Sequence, residues 1–159
     1  DSKSFLHCPP CKNFKPIFNG NKGDNTSGMG CLMYGKENKL LSKSNLEKLK
    51  MINETVIKKL NSNSKNKYLG PLQGEFIITN DNDIKVIEFN TRFGNPSTIN
   101  MLNLIQTDFV SLCKAIGDRL LGNIHCNWKD KSRRTGFSRE DYSDSRNTAK
   151  TSSDKGKTS

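Results

Sequence analysis

The stretch KVIEFNTRFGNP, Lys85 to Pro96, is an apolar run that ends in three polar side chains. Because successive residues of a strand point to opposite faces, Glu88, Asn90 and Arg92 would share one face. A carboxylate and an amide oxygen at this spacing suit Mg²⁺, which prefers hard oxygen ligands and is often held together with substrate phosphates. Arg92 could form a forked pair with a carboxylate or a phosphoryl oxygen. On spacing alone, a half-exposed strand with a solvated polar face is the better explanation.

The residues just before this stretch predict a β-hairpin. In LQGEFIITNDNDIKVIEFN, two β-rich runs are joined by the turn residues Asn80 to Asp83. In a short hairpin Glu75 would lie across from Glu88, where two carboxylates could share metal ions. Glu75 is therefore a further candidate metal ligand beside Glu88 and Asn90.

Two helices are predicted by their apolar periodicity. In SNLEKLKMINETVIKKLNSN the apolar residues recur every three or four positions, and Ser44 with Glu47 forms a capping box at the start. DFVSLCKAIGDRLLG is a second apolar helix, capped by Thr107 or Asp108 and stopped by Gly122.

A third helix is expected at Asn95 and Pro96. Asparagine is a favoured N-cap, and proline is favoured in the first helical position. The backbone N–H groups at this helix start would then face an anion beside Arg92.

The N-terminal part offers a weaker pattern. Residues 3 to 8 could form a short strand that Pro9 and Pro10 would end. NGNKGDNTSGMG, Asn19 to Gly30, is predicted to be a loop because glycine, asparagine and aspartate dominate it. It lacks the G-K-[ST] of a P-loop, so by itself it does not indicate nucleotide binding.

The cysteines do not indicate a disulfide framework. There are five, an odd number, without regular spacing. HCPPC, His7 to Cys11, is the one grouping that could bind metal or act in redox chemistry, but further ligands at matched spacing are missing. Thiols packed as small apolar groups are the preferred interpretation.

The charge of the chain is concentrated towards its end. Lys and Arg number 26 against 16 acids, which gives a net charge of +10 and favours anionic partners. Residues 129–159 supply +4 of this with few apolar side chains, so we expect a disordered basic tail there, or the remnant of a further domain. The net charge that remains on residues 1–128 is too small to favour nucleic acid as a partner. No apolar run is long enough to span a bilayer, which predicts a cytoplasmic protein without a membrane partner.

Taken in order, these motifs resemble a known enzyme family. The order PPCKNFKPIFNGNKGDNTSGMG, then KVIEFNTRFGNPST, then TDFVSLCKAIGDRLLG resembles phosphoribosylamine–glycine ligase, also called glycinamide ribonucleotide synthetase, of the ATP-grasp superfamily. The family's versions read roughly PPAQDHKR…GPNTGGMG and VLEFNCRFGDPET. The resemblance covers about residues 1–128, and two motifs in the right order are more specific than either alone.

The resemblance implies a fold, a reaction and its site residues. The fold would be α+β, the C-terminal part of an ATP-grasp domain with an antiparallel sheet and packed helices, over residues 1–128. ATP would phosphorylate glycine to glycyl phosphate, which 5-phosphoribosylamine would attack, in de novo purine synthesis. Glu88 and Asn90 match the family's Mg²⁺ (or Mn²⁺) ligands, and Arg92 matches its phosphoryl-stabilising arginine. The positions matched to its substrate side are Lys15, Asn25, Thr26, Gly28, Gly30 and Asn95.

The chain also departs from the family pattern. Phe14 and Pro16 stand where the family has His and Arg, and Asn95 and Ser97 stand where it has two acids. Ser27 replaces a glycine, which would cost roughly 1–2 kcal/mol if the position needs a left-handed backbone. The family's upstream ATP-binding segments are not in this sequence, so the chain alone is not expected to catalyse the reaction.

Two other functions remain open on these residues. One is an ATP-grasp ligase for a different carboxylate and amine, which Glu75 and the lost acids at Asn95 and Ser97 favour. The other is a non-catalytic module whose basic tail recruits an anionic partner.

Overall fold

Two antiparallel sheets and three helices make up the computed structural model, which describes residues 1–62 and 65–136. This arrangement confirms the predicted α+β class. The strands are β1 (Cys11–Phe18), β2 (Lys22–Tyr34), β3 (Gln73–Ile78), β4 (Ile84–Asn90) and β5 (Ser132–Gly136). The helices are α1 (Lys43–Ser62), α2 (Ser97–Leu104) and α3 (Phe109–Gly117), with a short 3₁₀ turn at Leu121–Asn123.

The glycine-rich segment is a strand, and the predicted loop over Asn19 to Gly30 is wrong. Strand β2 begins at Lys22 and pairs with β1 on one side and β5 on the other, so that only residues 19–21 remain as a turn. The strand predicted at residues 3–8 is also wrong, because the first strand is β1. Pro16 fits inside β1 because β1 is an edge strand and its register shifts at that residue.

Two glycines of β2 and its flank are required by close backbone contacts. A Cβ atom on Gly30 would lie 2.7 Å from the Thr135 carbonyl oxygen on β5. A Cβ on Gly35 would overlap the Lys129 carbonyl oxygen. Ser27 carries no such cost, since the described non-glycine residues with positive φ are elsewhere. The condition for that cost, a left-handed backbone at Ser27, is therefore not met.

Strand β5 corrects the expectation of disorder for residues 132–136, and the alternative, a remnant of a further domain, stays a prediction. Ser132–Gly136 pair antiparallel with β2, and the Lys129 amide donates to the Leu104 carbonyl at 2.8 Å. This polar strand is held by backbone hydrogen bonds rather than by apolar burial, which composition does not reveal. Residues 137–159 of the predicted tail lie outside the described residues.

The hairpin of β3 and β4 confirms the prediction from the alternating pattern. The Thr79 amide donates to the Asp83 carbonyl at 2.9 Å, and Asn82 adopts φ of 63° inside the turn. Asparagine tolerates this left-handed conformation better than most residues. Residues Glu75 and Glu88 are directly opposed, and one register shift follows at Phe76.

The helices form where predicted, but their ends differ. The Asn45 amide donates to Ser42 Oγ at 3.2 Å, so Ser42 caps α1 and the predicted box of Ser44 and Glu47 is wrong. Asp108 caps α3 as predicted, accepting from the Ser111 amide at 2.6 Å.

Helix α3 stops before the predicted Gly122. Arg119 takes φ of 60°, and the Leu120 amide donates to the Ala115 carbonyl at 2.8 Å. A residue in the left-handed conformation followed by a backbone hydrogen bond that spans five residues is a Schellman motif. An arginine rather than a glycine therefore ends this helix.

The core lies between the three-stranded sheet and the last helices. Met33, Met101 and Leu104 form one buried cluster, and Ile105, Leu112 and Leu121 form a second. Trp128 packs against both clusters. In the parts of the chain that are described, no helix is long and apolar enough to cross a bilayer.

Candidate active site

The candidate metal ligands lie together on one face of the β3–β4 hairpin. The backbone register opposes Glu75 to Glu88 and Gln73 to Asn90. Side chains two residues apart on a strand share a face, so these four residues form one polar surface, here called the carboxylate–amide face. Cβ atoms of directly opposed residues lie about 5 Å apart, which lets all four side chains meet.

Each strand of the hairpin contributes one carboxylate in contact with one carboxamide. On β4, Asn90 Nδ2 donates to Glu88 Oε1 at 3.1 Å. On β3, Gln73 Nε2 lies 3.4 Å from Glu75 Oε1. Gln73 Oε1 is buried without a hydrogen-bond partner and faces Gly94, whereas the amide nitrogen of the same side chain faces Glu75.

Gln73 is a residue that the sequence analysis missed. It stands two positions before Glu75, which is the same spacing that singled out Glu88 and Asn90. Applying that spacing to β3 as well as β4 would have found it. A Cβ on Gly94 would overlap the Gln73 carboxamide, so this glycine makes room for Gln73 beside the start of α2.

Lys15 on β1 connects the three-stranded sheet to the β3–β4 hairpin through an ion pair. Its Nζ lies 2.6 Å from Glu75 Oε2, and the two side chains are 31% and 16% exposed. This contact joins β1 to β3 and places the predicted substrate-side lysine directly on a predicted metal ligand.

Arg92 follows the end of β4 and is exposed. Its Nη1 donates to the Phe93 carbonyl at 3.1 Å, a contact within its own segment. Arg92, Lys15, Asn25, Gly30 and Glu75 are among the many residues that line one large open groove, and Glu88 and Asn90 are not among them.

The start of α2 does not have the predicted cap. The N-cap position is Pro96 rather than Asn95, no side chain caps the helix, and the peptide bond between these two residues is cis. The Thr98 amide donates to the Gly94 carbonyl and the Ile99 amide to the Pro96 carbonyl. These two amides are therefore not free for an anion, and that part of the prediction is wrong.

Several predicted substrate-side residues have roles within the β1–β2 hairpin. Thr26 is buried, donates its hydroxyl to the Lys15 carbonyl at 2.8 Å and accepts from the Gly28 amide at 3.0 Å. A Cβ on Gly28 would lie 3.0 Å from Pro96 Cδ, so this glycine allows the hairpin to approach α2. Asn25 and Asn95 are exposed.

Phe14, which departs from the family pattern, is covered by two cations. Lys12 Nζ lies 5.5 Å and Arg134 Cζ 5.9 Å from the centre of its ring. Lys12 and Arg134 both pair with Leu32 in the sheet register, so they extend from one row of the three strands. A phenylalanine here serves as an anchor for basic side chains rather than as a polar contact.

The HCPPC segment is used for packing and for one ion pair. His7 Nε2 lies 2.9 Å from Glu54 Oε1 on α1, and burial raises the pKa of the Cys11 thiol. Within residues 1–62 and 65–136, no group of three or more His, Cys, Asp or Glu is placed to hold a metal ion. A metal on the carboxylate–amide face would therefore need amide and substrate oxygens beside its carboxylates.

The chain was compared with known protein families and structures. The family model described as "Phosphoribosylglycinamide synthetase, ATP-grasp (A) domain" matches residues 1–98. The phosphoribosylamine–glycine ligase of Methanosarcina barkeri is 35% identical over 133 residues, covering 83% of this chain and 30% of that protein. The corresponding ligase of Methanocella arvoryzae is 36% identical over 127 residues, covering 78% and 29%.

A solved structure shares the fold. The crystal structure of the phosphoribosylamine–glycine ligase of Thermotoga maritima matches with a TM-score of 0.62 at 21% identity. The match covers 74% of this chain and 29% of the solved chain. In each of these comparisons, the chain spans about 30% of the length of the relative.

Proposed function

Because the chain belongs to the family of phosphoribosylglycinamide synthetase ATP-grasp (A) domains, we propose that it supplies the metal and phosphoryl part of an ATP-dependent ligase for glycine and 5-phosphoribosylamine. The observation that carries this proposal is the contact of Glu88 with Asn90 on a rigid strand, directly opposite Glu75. In the sequence alone, a solvated strand face was the better explanation of this spacing. The convergence of Gln73 and Lys15 on the same face favours a built site.

The proposed reaction has two steps. A carboxylate oxygen of glycine attacks the γ-phosphorus of ATP, ADP leaves, and glycyl phosphate forms. The amine nitrogen of 5-phosphoribosylamine then attacks the acyl carbon, inorganic phosphate leaves, and the nitrogen loses a proton to give the amide. The phosphoryl step needs positioned positive charge more than covalent chemistry from the protein.

The donor set fits a hard divalent cation. Glu88 offers carboxylate oxygens at an exposed position, and rotation of the Asn90 carboxamide would turn its oxygen to the same side. Bound there, Mg²⁺ or Mn²⁺ would neutralise phosphate oxygens of ATP. Glu75 is the third proposed ligand, although Lys15 pairs with it.

Arg92 is the proposed catalytic residue. Its guanidinium is exposed and donates only to a backbone carbonyl of its own segment among the contacts described, so it can turn to a phosphoryl or carboxylate group. Lys15 and Asn25 border the same groove and are proposed substrate contacts. Thr26, Gly28 and Gly30 support this side by shaping the hairpin, and Asn95 lies at its exposed edge.

A segment exchange tests this function. The matched segment of the Methanosarcina barkeri ligase would be replaced by this chain, and ADP release would be measured with glycine and 5-phosphoribosylamine. We expect glycine-dependent ADP release that Glu88→Gln reduces by about 100-fold or more, with Glu47→Gln on the exposed side of α1 as the matched control. Activity unchanged in Glu88→Gln would contradict the metal assignment.

A second function is favoured by two departures from the family pattern. Ser97, where the family has an acid, is only 9% exposed, and Phe14 is covered by Lys12 and Arg134. Both changes alter polar groups near the substrate side, which favours a ligase for another carboxylate and amine. ADP release by the exchanged protein with another amino acid, and not with glycine, would establish this alternative.

A further inference from the structure

A small cavity lies where the N-terminal segment meets the ends of α1 and α3, and its volume is about 450 Å³. Four basic side chains line it: Lys3, Lys58, Lys67 and Arg119. Among the described residues, its lining contains no acidic side chain and no member of the carboxylate–amide face. This space is here called the basic cavity.

One buried carboxylate brings Lys3 beside Arg119. Asp1 is 8% exposed, and its Oδ1 accepts from the Lys3 amide at 2.8 Å while its Oδ2 accepts from the Leu121 amide at 3.0 Å. Leu121 follows Arg119 by two residues, so this contact ties the N-terminal segment to the end of α3. Because both oxygens of Asp1 accept from backbone N–H groups, the carboxylate gathers the two cations without pairing with their side chains.

The other two cations are positioned at the end of α1. Lys58 Nζ lies 5.3 Å from the centre of the Phe5 ring, which is within the range of a cation–π contact. Lys67 Nζ donates to the Asn61 carbonyl at 2.5 Å, and the Tyr68 amide donates to Asn61 Oδ1 at 2.6 Å. The residues after α1 therefore fold back onto its end and bring Lys67 to the basic cavity.

Stabilisation of helix ends does not account for four cations. The C-terminal end of a helix carries about −0.5 charge, so the ends of α1 and α3 together offset about one positive charge. Glu54 pairs with Lys58 at 3.2 Å and offsets a second. Within the described ranges, the other three cations pair with no carboxylate. About two positive charges therefore remain without a counter-charge and repel each other.

We infer that the basic cavity binds a small molecule that carries phosphate groups. A phosphate monoester has a charge of about −1.5 to −2 near neutral pH, which matches the charge left over in the cavity. The Arg119 guanidinium offers a fork of N–H donors to phosphate oxygens, and the lysines offer ammonium groups.

The size of the basic cavity agrees with a small ligand. Sites for small molecules have volumes of roughly 300–1,000 Å³, and this cavity lies in that range. The Phe5 ring lines the same space and provides an apolar surface for the rest of the molecule. None of the four cations belongs to the proposed active site, so this inference does not depend on the proposed function.

Calorimetric titration of the full 159-residue chain with inorganic pyrophosphate tests the inference. A chelator would be present, so that no divalent ion contributes. Lys3→Met combined with Arg119→Gln removes two charges from the basic cavity. Lys36→Met combined with Arg133→Gln removes a lysine and an arginine that are exposed outside it, and is the matched control. Circular dichroism would verify that each double variant folds.

We expect the cavity variant to bind pyrophosphate at least about tenfold more weakly than the unchanged chain, and the control to stay within about twofold. In nuclear magnetic resonance spectra of the unchanged chain, pyrophosphate should shift the amide signals of Lys3, Arg119 and Leu121. Equal weakening in the two double variants would mean that binding follows net charge alone, and would overturn the inference.

Two further outcomes would also overturn it. One is a folded, unchanged chain that does not bind pyrophosphate. The other is a short single-stranded RNA that binds where pyrophosphate does not, because the partner would then be a nucleic acid. ADP release in the segment exchange tests Glu88 and not the basic cavity, so the proposed function and this inference can fail separately.

Discussion

Asn100 on α2 is hydrogen-bonded to Cys31 on the central strand β2: its Nδ2 donates to the Cys31 carbonyl at 3.1 Å. The same carboxamide donates to the Arg133 carbonyl at 3.2 Å and accepts from the Thr135 hydroxyl at 2.7 Å. Asn100 is 1% exposed. One buried side chain therefore joins α2 to two strands, and a buried polar group with all its partners is costly to remove.

Replacing Asn100 by leucine should destabilise the fold strongly. The apolar side chain would leave the Thr135 hydroxyl and the two carbonyls without their carboxamide partner, at a cost of about 2–3 kcal/mol in the free energy of unfolding. Urea denaturation followed by circular dichroism would measure it. The control is Asn103→Leu, since Asn103 is exposed on the same helix and should change stability by less than about 0.5 kcal/mol. Equal losses in the two variants would contradict the role of Asn100.

Alanine should have opposite effects at two glycines. In Gly30→Ala the new Cβ would lie 2.7 Å from the Thr135 carbonyl, so β5 would have to move and stability would fall by about 1–3 kcal/mol. In Gly117→Ala no atom lies within 4 Å of the new Cβ, and α3 should gain about 0.5–1 kcal/mol from the better helix former. Thermal unfolding of both variants would measure these two changes in stability. A stable Gly30→Ala protein would mean that β5 does not pack on β2 this closely.

The hairpin and its site could be predicted from the sequence because their signal is local. Period two places Glu88 and Asn90 on one face, a short turn opposes Glu75 to Glu88, and both relationships are present in the structure. Lys15 reaches Glu75 from a different sheet, and no local pattern indicates which strand a distant lysine will approach. Its contact with Glu75 therefore needed the tertiary structure.

The glycine-rich strand could not be predicted for a related reason. Local turn chemistry favours a loop over residues 19–30, but the pairing of β2 with two neighbours overrides this preference. The glycine at position 30 is needed because β5 lies close, and β5 is itself a polar segment with no apolar alternation. Each strand is recognisable only when its partner is known.

The cysteines should differ widely in reactivity. Cys31 has no exposed surface and burial raises the pKa of its thiol, so little thiolate forms and the reagent must wait for local opening. Cys113 is exposed on α3. With N-ethylmaleimide near neutral pH, peptide mass spectrometry should show Cys113 labelled at least about tenfold faster than Cys31. The difference should vanish in concentrated urea. Similar rates in the folded protein would contradict the buried position of Cys31.

The ion pair of His7 and Glu54 should make stability depend on acid pH. The His7 hydrogen bond at 2.9 Å, and next the Lys58 hydrogen bond at 3.2 Å, hold the pKa of Glu54 below its usual 4.5. A carboxylate whose pKa is lowered by folding stabilises the folded state above its unfolded pKa. That stabilisation is lost as the pH falls through the lower, folded value.

Comparison with Glu54→Gln isolates this effect from other titrating groups. The difference in free energy of unfolding between the two proteins should be largest above about pH 5 and should shrink steadily below about pH 4.5, where the unfolded chain takes up the proton first. Urea titrations at several pH values would follow it. The control is Glu47→Gln, because Glu47 is exposed and its ion pair is with Lys50 on the same helix. Its difference in free energy of unfolding should change less with pH than that of Glu54→Gln. If the Glu54→Gln difference stays constant from pH 6 to pH 3, the N-terminal segment is not held to α1 by this carboxylate.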